Sequence, residues 1–450
     1  MRPKPTAERA KMTVNVIGAG LAGSEAAWAA ANRGFDVALF EMKPKKMSPA
    51  HRYTGFAELV CSNSLKAARP DSAAGMLKAE MRLLGSLTME AAEKTAVEAG
   101  GALAVNRTDF SDFITEKLRS HPNITVHECE ITDFPERNTV IATGPLTSEP
   151  FAEVIYNRLG KALSFYDAAA PIVTAESIDM SKAFFASRYD KGGADYINCP
   201  FSREEYEIFY NALITAETAP LHEFEDLTVY EGCMPVEVLA KRGADSVRYG
   251  CMKPVGLTDP RTGHRPYAAV QLRKENREGT LYNIVGFQTN LKFGEQKRVF
   301  GLIPGLENAE FMRYGVMHRN TFLNSPALLD SGFMLKGSDN IYFAGQMTGV
   351  EGYTESAASG IIAGINICRS LSGQAHLQLP ETSMIGALAK HISTENADFQ
   401  PMGANMGILP PLGTQIKNKQ ERYAAISQRG IDALRKEISE TGLCPDPQAL

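Results

Sequence analysis

The chain contains no C-x-x-C pair, and its seven cysteines are so scattered that the closest two, Cys233 and Cys251, stand eighteen residues apart. That excludes a zinc ribbon, a thioredoxin-type redox pair and a disulfide framework. Free thiols, a reducing cytoplasm and no metal are expected. No apolar run approaches the eighteen or so residues that span a bilayer, so no membrane segment is expected. Residues 1–11 are basic but lack an apolar stretch. They read as a solvated leader, not a secretory signal. There is no internal repeat and no low-complexity tract. With 450 residues, 44% hydrophobic and 22% charged, the chain is an ordered globular protein of two or three domains.

What is present begins with a β-branched run, Thr13–Ile17, leading into Gly18-Ala19-Gly20-Leu21-Ala22-Gly23. An Ala-rich helix is predicted over Ser24–Asn32 and a second strand over Asp36–Glu41. Strand, Gly-rich turn, helix and strand make one βαβ unit. Gly18 permits the tight turn, Gly20 lets a pyrophosphate approach the backbone, and Gly23 lets the helix pack on the strand. The helix N-terminus offers N–H donors to an anion. Glu41, 23 residues after Gly18, is placed to accept ribose hydroxyls.

Two later pieces extend this unit. Asn138–Thr143 is a short strand ending at Gly144. Asn340–Ala344 is another, followed by Gly345-Gln346, an acid-and-Gly turn through Glu351 and Gly352, and a small-residue helix to Ile367. No second G-x-G-x-x-G occurs, which favours a bound FAD with NAD(P)H as a visitor. The expected fold is α/β: a Rossmann-like, glutathione-reductase-type FAD-binding domain in two parts, residues 12–172 and 319–450, with C-terminal helices over Ser383–Ser393 and Lys417–Ser439. An α+β insertion, residues 173–318, lies between them, with strands at Leu227–Tyr230, Ala268–Leu272 and Tyr282–Phe287.

A net charge of −5 alone argues against a nucleic-acid partner. It conceals an asymmetry. Residues 241–298 hold twelve Lys and Arg against five acids, a local +7 that leaves −12 elsewhere. Such a stretch is either solvated surface or the footprint of an anionic partner.

Most cysteines serve as buried filler. Cys129, Cys199 and Cys368 read that way, Cys444 as inert, and Cys251 as ambiguous. Cys61 is followed by Ser-Asn-Ser, which suits a helix start, and Lys66 lies nearby; both would lower a thiol pKa. Cys233 sits in a Gly-Cys-Met-Pro turn between Glu231 and Glu237. A flavin, a nucleophilic thiol and a basic insertion fit one chemistry. A thiolate adds to C6 of a uracil, C5 attacks a one-carbon electrophile, a base removes the C5 proton, and a hydride completes the methyl group.

Four blocks resemble one family: Val16–Ala27, Glu58–Lys66, Tyr230–Glu237 and Gly345–Ser356. It is the folate- and FAD-dependent tRNA (uracil-5-)-methyltransferases, a group related to the GidA-type proteins. Phe399–Met402 and Gly407–Pro410 are similar to that family's C-terminal pattern. The resemblance runs from about Thr13 to Arg435. The longer leader and Ala19, where Gly is frequent, are its small departures.

The resemblance implies formation of 5-methyluridine at the T-loop uridine of tRNA, position 54. The carbon comes from 5,10-methylenetetrahydrofolate and reduction from NAD(P)H through FAD. It implies Cys233 as the thiol at uracil C6 and Cys61 as its helper, the base at C5. Gly18 to Gly23 and Glu41 would hold the adenosine diphosphate half of FAD. Asn63, Thr143, Gly144, Gly345, Gln346, Glu351, Gly352, Tyr353 and Thr354 would surround the rest. The T-arm of tRNA would lie on the insertion, with no obligatory protein partner. Three competing classes are a GidA-type wobble-uridine enzyme (whose longer C-terminal domain this length leaves no room for), a small-molecule FAD oxidoreductase, and a non-catalytic RNA-binding factor.

Overall fold

The computed structural model describes residues 12–443 apart from 49, 161–162, 169, 191–192, 220–233, 277, 316 and 397–398. The expected strand Leu227–Tyr230 and the residues Cys233 and Cys444 therefore lie outside the described residues. Among the described residues, no helix is long and apolar enough to cross a membrane.

The β-branched run Thr13–Ile17 forms the central strand of a five-stranded sheet, entirely parallel. On one side lie Asp36–Glu41 and then Ile124–Glu128; on the other lie Thr139–Ile141 and then Ile341–Phe343. Val16 pairs with Leu39 on one flank and Val140 on the other, and all three are fully buried. Continuous apolar strands are what a parallel sheet covered on both faces requires. The last strand comes from the far end of the chain, so the sheet closes only after the insertion has been made.

The helix after the Gly-rich turn runs Leu21–Ala31, beginning three residues earlier than the composition predicted. The late helix runs Tyr353–Leu371, four residues past its predicted end. The two pack backbone to backbone. A Cβ added at Gly360 would stand 2.1 Å from Ala22 O, and one at Gly364 would stand 2.6 Å from Ala26 O. Small residues on both helices permit this approach, and it brings the early turn against the late one.

The insertion has its own core. Its six-stranded sheet is antiparallel, in the order Phe184–Phe185, Tyr196–Phe201, Ala268–Lys274, Leu281–Ile284, Ile172–Thr174, Phe311–Arg313. The helix Arg203–Ile214, started by a Ser202/Glu205 capping box, buries Tyr206, Phe209 and Leu213 in this second core. The expected Rossmann-like domain with an α+β insertion is thus what the chain forms. A two-stranded antiparallel ribbon, Leu163–Ala168 with Met317–Phe322, joins the two bodies.

The C-terminal helices return to the first core. The helix Met384–Ser393 starts on the carboxylate of buried Glu80, which accepts from Met384 N (2.8 Å) and Ile385 N (2.9 Å). Burial pushes the Glu80 pKa up to about 8.

The interhelical contact yields a stability prediction. Gly364→Ala, which has no room for its methyl group, should cost about 1–3 kcal/mol by overpacking. A lower urea midpoint with an unchanged slope is the expected reading.

Candidate active site

The Gly-rich turn behaves as its spacing requires. Gly18 has φ +96°, and a Cβ there would meet Ala142 O at 2.6 Å. A Cβ on Gly23 would lie 1.8 Å from Gly18 O, whereas one on Gly20 would meet nothing within 4 Å. Two glycines serve packing, and the third faces open space. That space is a cleft lined by Gly18, Gly20, Glu41, Lys43, Thr143 and Thr147, among others.

Glu41 does not point freely into the cleft. Its carboxylate accepts from Ala19 N (2.7 Å) and Lys43 N (2.9 Å), which fixes the turn against the strand end. Each oxygen keeps a second lone-pair direction for a ligand hydroxyl. Ala19, Leu21, Ala22 and Gly23 are not among the residues that line the cleft. Thr143 Oγ1 lies 2.6 Å from Thr147 Oγ1, and a Cβ on Gly144 would meet open space.

Sequence reasoning missed several cleft residues. Lys43 Nζ donates to Tyr53 O and Gly55 O, and burial lowers its pKa. Burial and the neighbouring Lys43 push His51 down to about 4, so its ring is neutral at pH 7. Cys129, expected as filler, is half-buried and lines the cleft. The filler reading does hold for Cys199 and Cys368, which are buried. Burial also raises the pKa of Cys251 to about 12.

The late turn is internally tied. Gln346 Nε2 donates to both oxygens of Glu351, at 2.8 and 2.6 Å. Gly345 N donates to Ser359 Oγ, and Thr354 Oγ1 donates to Glu355 Oε2. Gly352, at φ +126°, lets the backbone pass Glu355 and Lys66. The Gly/Pro/Met segment seals this turn through Glu351 N to Met402 O and Met402 N to Gly349 O.

Cys61 stands where these parts meet. The sequence suggested a helix start after it; the structure has a strand instead, Ser64–Ala67. Lys66 is committed to Glu355 at 2.9 Å. The groups around Cys61 are different ones. Tyr353 Oη accepts from Cys61 N (2.6 Å) and Ser62 N (3.2 Å). Arg107 Nη1 donates to Leu59 O and Val60 O, while its Nε and Nη2 grip Glu275. Arg107 and Arg313 both lie within electrostatic reach of Cys61. Tyr353 is held well above its ordinary pKa, chiefly by burial and then by Cys61, so its phenol stays protonated.

Asn63 belongs to the same clamp. Its Nδ2 donates to Val105 O and Lys274 O, and its Oδ1 accepts from Arg273 Nε. Arg273 Nη2 also donates to Ser62 Oγ at 2.6 Å. The Asn63 side chain thus joins the two bodies, and its backbone oxygen accepts from Val105 N, so this fully buried residue serves the clamp. Arg273 was counted toward a basic face but is buried here. Other cations of that stretch are also engaged: Arg261 with Asp259, Lys274 with Glu98, Lys292 with Glu217 and Arg298 with Glu295. The pairs with Asp259 and Glu295 are already contained in the local +7, and of these partners only Glu98 and Glu217 come from outside the stretch, so it stays basic; Lys241, Lys253, Arg265 and Lys297 stand outside any ion pair among the described residues.

The Tyr353 hydroxyl can be tested by removal. Tyr353→Phe leaves two backbone N–H groups without their acceptor and should cost about 1–3 kcal/mol, read as a lower unfolding midpoint.

Comparison with known proteins agrees with this architecture. The family described as glucose inhibited division protein A matches residues 13–375. A Listeria innocua protein named methylenetetrahydrofolate–tRNA-(uracil-5-)-methyltransferase TrmFO is 57% identical over 94% of this chain and 98% of its own length. A Bacillus pumilus protein of the same name is 58% identical over the same shares. The solved Aquifex aeolicus GidA structure (form I crystal) shares the fold, with a TM-score of 0.68 and 18% identity over 95% of this chain and 78% of that one. The chain belongs to the TrmFO family, within the wider glucose inhibited division protein A family.

Proposed function

We propose that this chain is a cytoplasmic FAD-dependent enzyme that makes 5-methyluridine at the T-loop uridine of tRNA, position 54. Its carbon donor is 5,10-methylenetetrahydrofolate and its reductant NAD(P)H. The observation that carries this reading is the placement of Cys61. One tyrosine at the head of the late helix accepts from the Cys61 backbone N–H, and two arginines lie within electrostatic reach of its thiol, at the junction with the insertion.

The residues fit FAD. Gly20 leaves an open cradle at the fingerprint turn, and Glu41 with Thr143 lines the same cleft. Gly345, Gln346 and Glu351 to Thr354 form the second contact. When bound and reduced, FAD supplies the hydride that turns a methylene into a methyl group.

The protein's own steps are these. Cys233 as thiolate adds through Sγ to C6 of the uracil, and the electron pair moves to C5. C5 then bonds the carbon of the one-carbon unit. Cys61 takes the proton from C5 as the bond between that carbon and its nitrogen carrier breaks and the carrier leaves with the electron pair, giving an exocyclic methylene. Hydride addition to the methylene restores the C5–C6 double bond and expels Cys233. Arg107 and Arg313 stabilise negative charge at Cys61 while it waits. Glu237, four residues from Cys233 in sequence, is buried and bonded to Thr289 Oγ1 and Asn290 N.

The GidA structure is 18% identical to this chain, against 57% and 58% for the two relatives named as uracil-5-methyltransferases, which favours the T-loop reading over the wobble-uridine alternative. An oxidoreductase without RNA would give the paired thiols no task.

Purified protein with a flavin spectrum, supplied with the folate, NAD(P)H and unmodified tRNA, should form ribothymidine. Cys233→Ala should stay yellow, bind tRNA and lose methyl transfer; full turnover by that variant would sink the mechanism. Cys61→Ala should lose about 10²-fold or more in rate. Gly20→Ala should fold with a stability within about 0.5 kcal/mol of the parent but be purified with less flavin.

A further inference from the structure

The second core contains an unbroken run of aromatic rings that ends at the surface. Inside, Phe287 meets Phe300 edge-on at 5.5 Å, and Phe300 meets Phe311 at 6.5 Å. The last rings lie nearly parallel. Phe311 stacks on Tyr314 at 5.0 Å and 10°, and Tyr314 stacks on Phe293 at 4.8 Å and 19°. Phe293 is the first residue of its helix, Phe293–Phe300. With one face on Tyr314 and 55% of its surface exposed, its outer face is open to solvent.

Single exposed apolar residues are ordinary. This one differs in three respects. Its plane is fixed by two stacked rings rooted in a packed core, so an incoming ring finds a surface that is already ordered. Its helix carries Lys297 one turn on, exposed and outside any ion pair among the described residues. Its position is set by the segment just before it. Thr218 pairs with Leu291, Ala219 N donates to Asn290 O, and Val236 N donates to Gln288 O. Buried Met234, the residue after Cys233, lies on the same returning segment. On the other side of the stack, Arg313 precedes Tyr314 and reaches electrostatically to Cys61. The open ring is thus tied through the start of its helix to the segments 218–219 and 234–236, and through Tyr314 to its neighbour Arg313, which lies within electrostatic reach of Cys61.

We propose that Phe293, backed by Tyr314 and Phe311, is a stacking platform for a nucleobase of the RNA loop, next to the base that reacts. The inference rests on the proposed RNA substrate and deepens it. A planar, sequence-tolerant contact suits an unstacked loop base, which must lose its own neighbour when the target base is turned out. Lys297 then answers the phosphate beside that base.

The test compares Phe293→Ala, Phe293→Leu and Phe293→Trp with the parent protein. The Ala and Leu variants should raise KM for tRNA by about tenfold or more, the size of one lost base–aromatic stack. KM for the folate should not move, and Phe293→Trp should restore the parent value. Independently of turnover, a T-arm hairpin with 2-aminopurine beside the target uridine should be quenched on binding the parent and the Trp variant, but not the Ala variant. Ala and Leu variants whose KM for tRNA stays within about twofold of the parent, with unchanged quenching, would overturn the platform. So would a change in copy number on gel filtration without a change in KM, which would make the ring a contact between copies. If the parent makes no ribothymidine, the functional reading fails on its own, and the quenching comparison still decides the platform.

Discussion

One buried asparagine determines where the two halves of this molecule sit. Asn63 uses both amide hydrogens and its carbonyl oxygen on partners from both bodies. Burying such a group is costly unless every position is satisfied, and a satisfied polar network is rigid because each member fixes the next. Arg273 and the Arg107–Glu275 pair enlarge the network, and all of them converge on residues 59–63. Cys61 lies inside that stretch, so its position is set by both bodies at once. A thiol on a free loop would have to find this geometry anew in every turnover, whereas here it is built by folding.

The second constraint is close packing of backbone. The contact of Ala22 and Ala26 with Gly360 and Gly364 sets the early turn against the late one. The halves of the proposed cofactor site come from opposite ends of the chain, and no side chain at these positions is large enough to hold them apart. The small-residue composition of both helices is therefore a property of the site as much as of the core.

The sequence made some of this legible and hid the rest for physical reasons. Thr13–Ile17 and Asp36–Glu41 were read to the residue, because a β-branched run and a Gly-rich turn are local signals. The open face at Gly20 was likewise expected from its place in the Gly-rich turn, and a Cβ there would meet nothing within 4 Å. The strand after Cys61 was misread as a helix start: Ser-Asn-Ser favours a cap locally, but Asn63 is recruited by a strand more than two hundred residues away. Arg107, Arg273, Glu275 and Arg313 carry no local motif, and their roles exist only once the insertion has docked. The charge count of residues 241–298 likewise could not show which cations are engaged, since Arg273 is buried and Glu98 and Glu217, the partners of Lys274 and Lys292, lie outside the counted window.

The two-stranded ribbon has an architectural consequence. Leu163 pairs with Phe322 and Ala168 with Met317, so the insertion leaves and returns through adjacent strands in register. Seen from the parallel sheet, roughly 150 residues behave as one loop whose ends are already closed. The strand Ile341–Phe343 can then find its place beside Thr139–Ile141 whatever the insertion contains. The ribbon is in effect a socket: one nucleotide-binding chassis can accept different substrate-reading modules without a change to its own sheet, and the buried asparagine clamp is the fitting that each module must match.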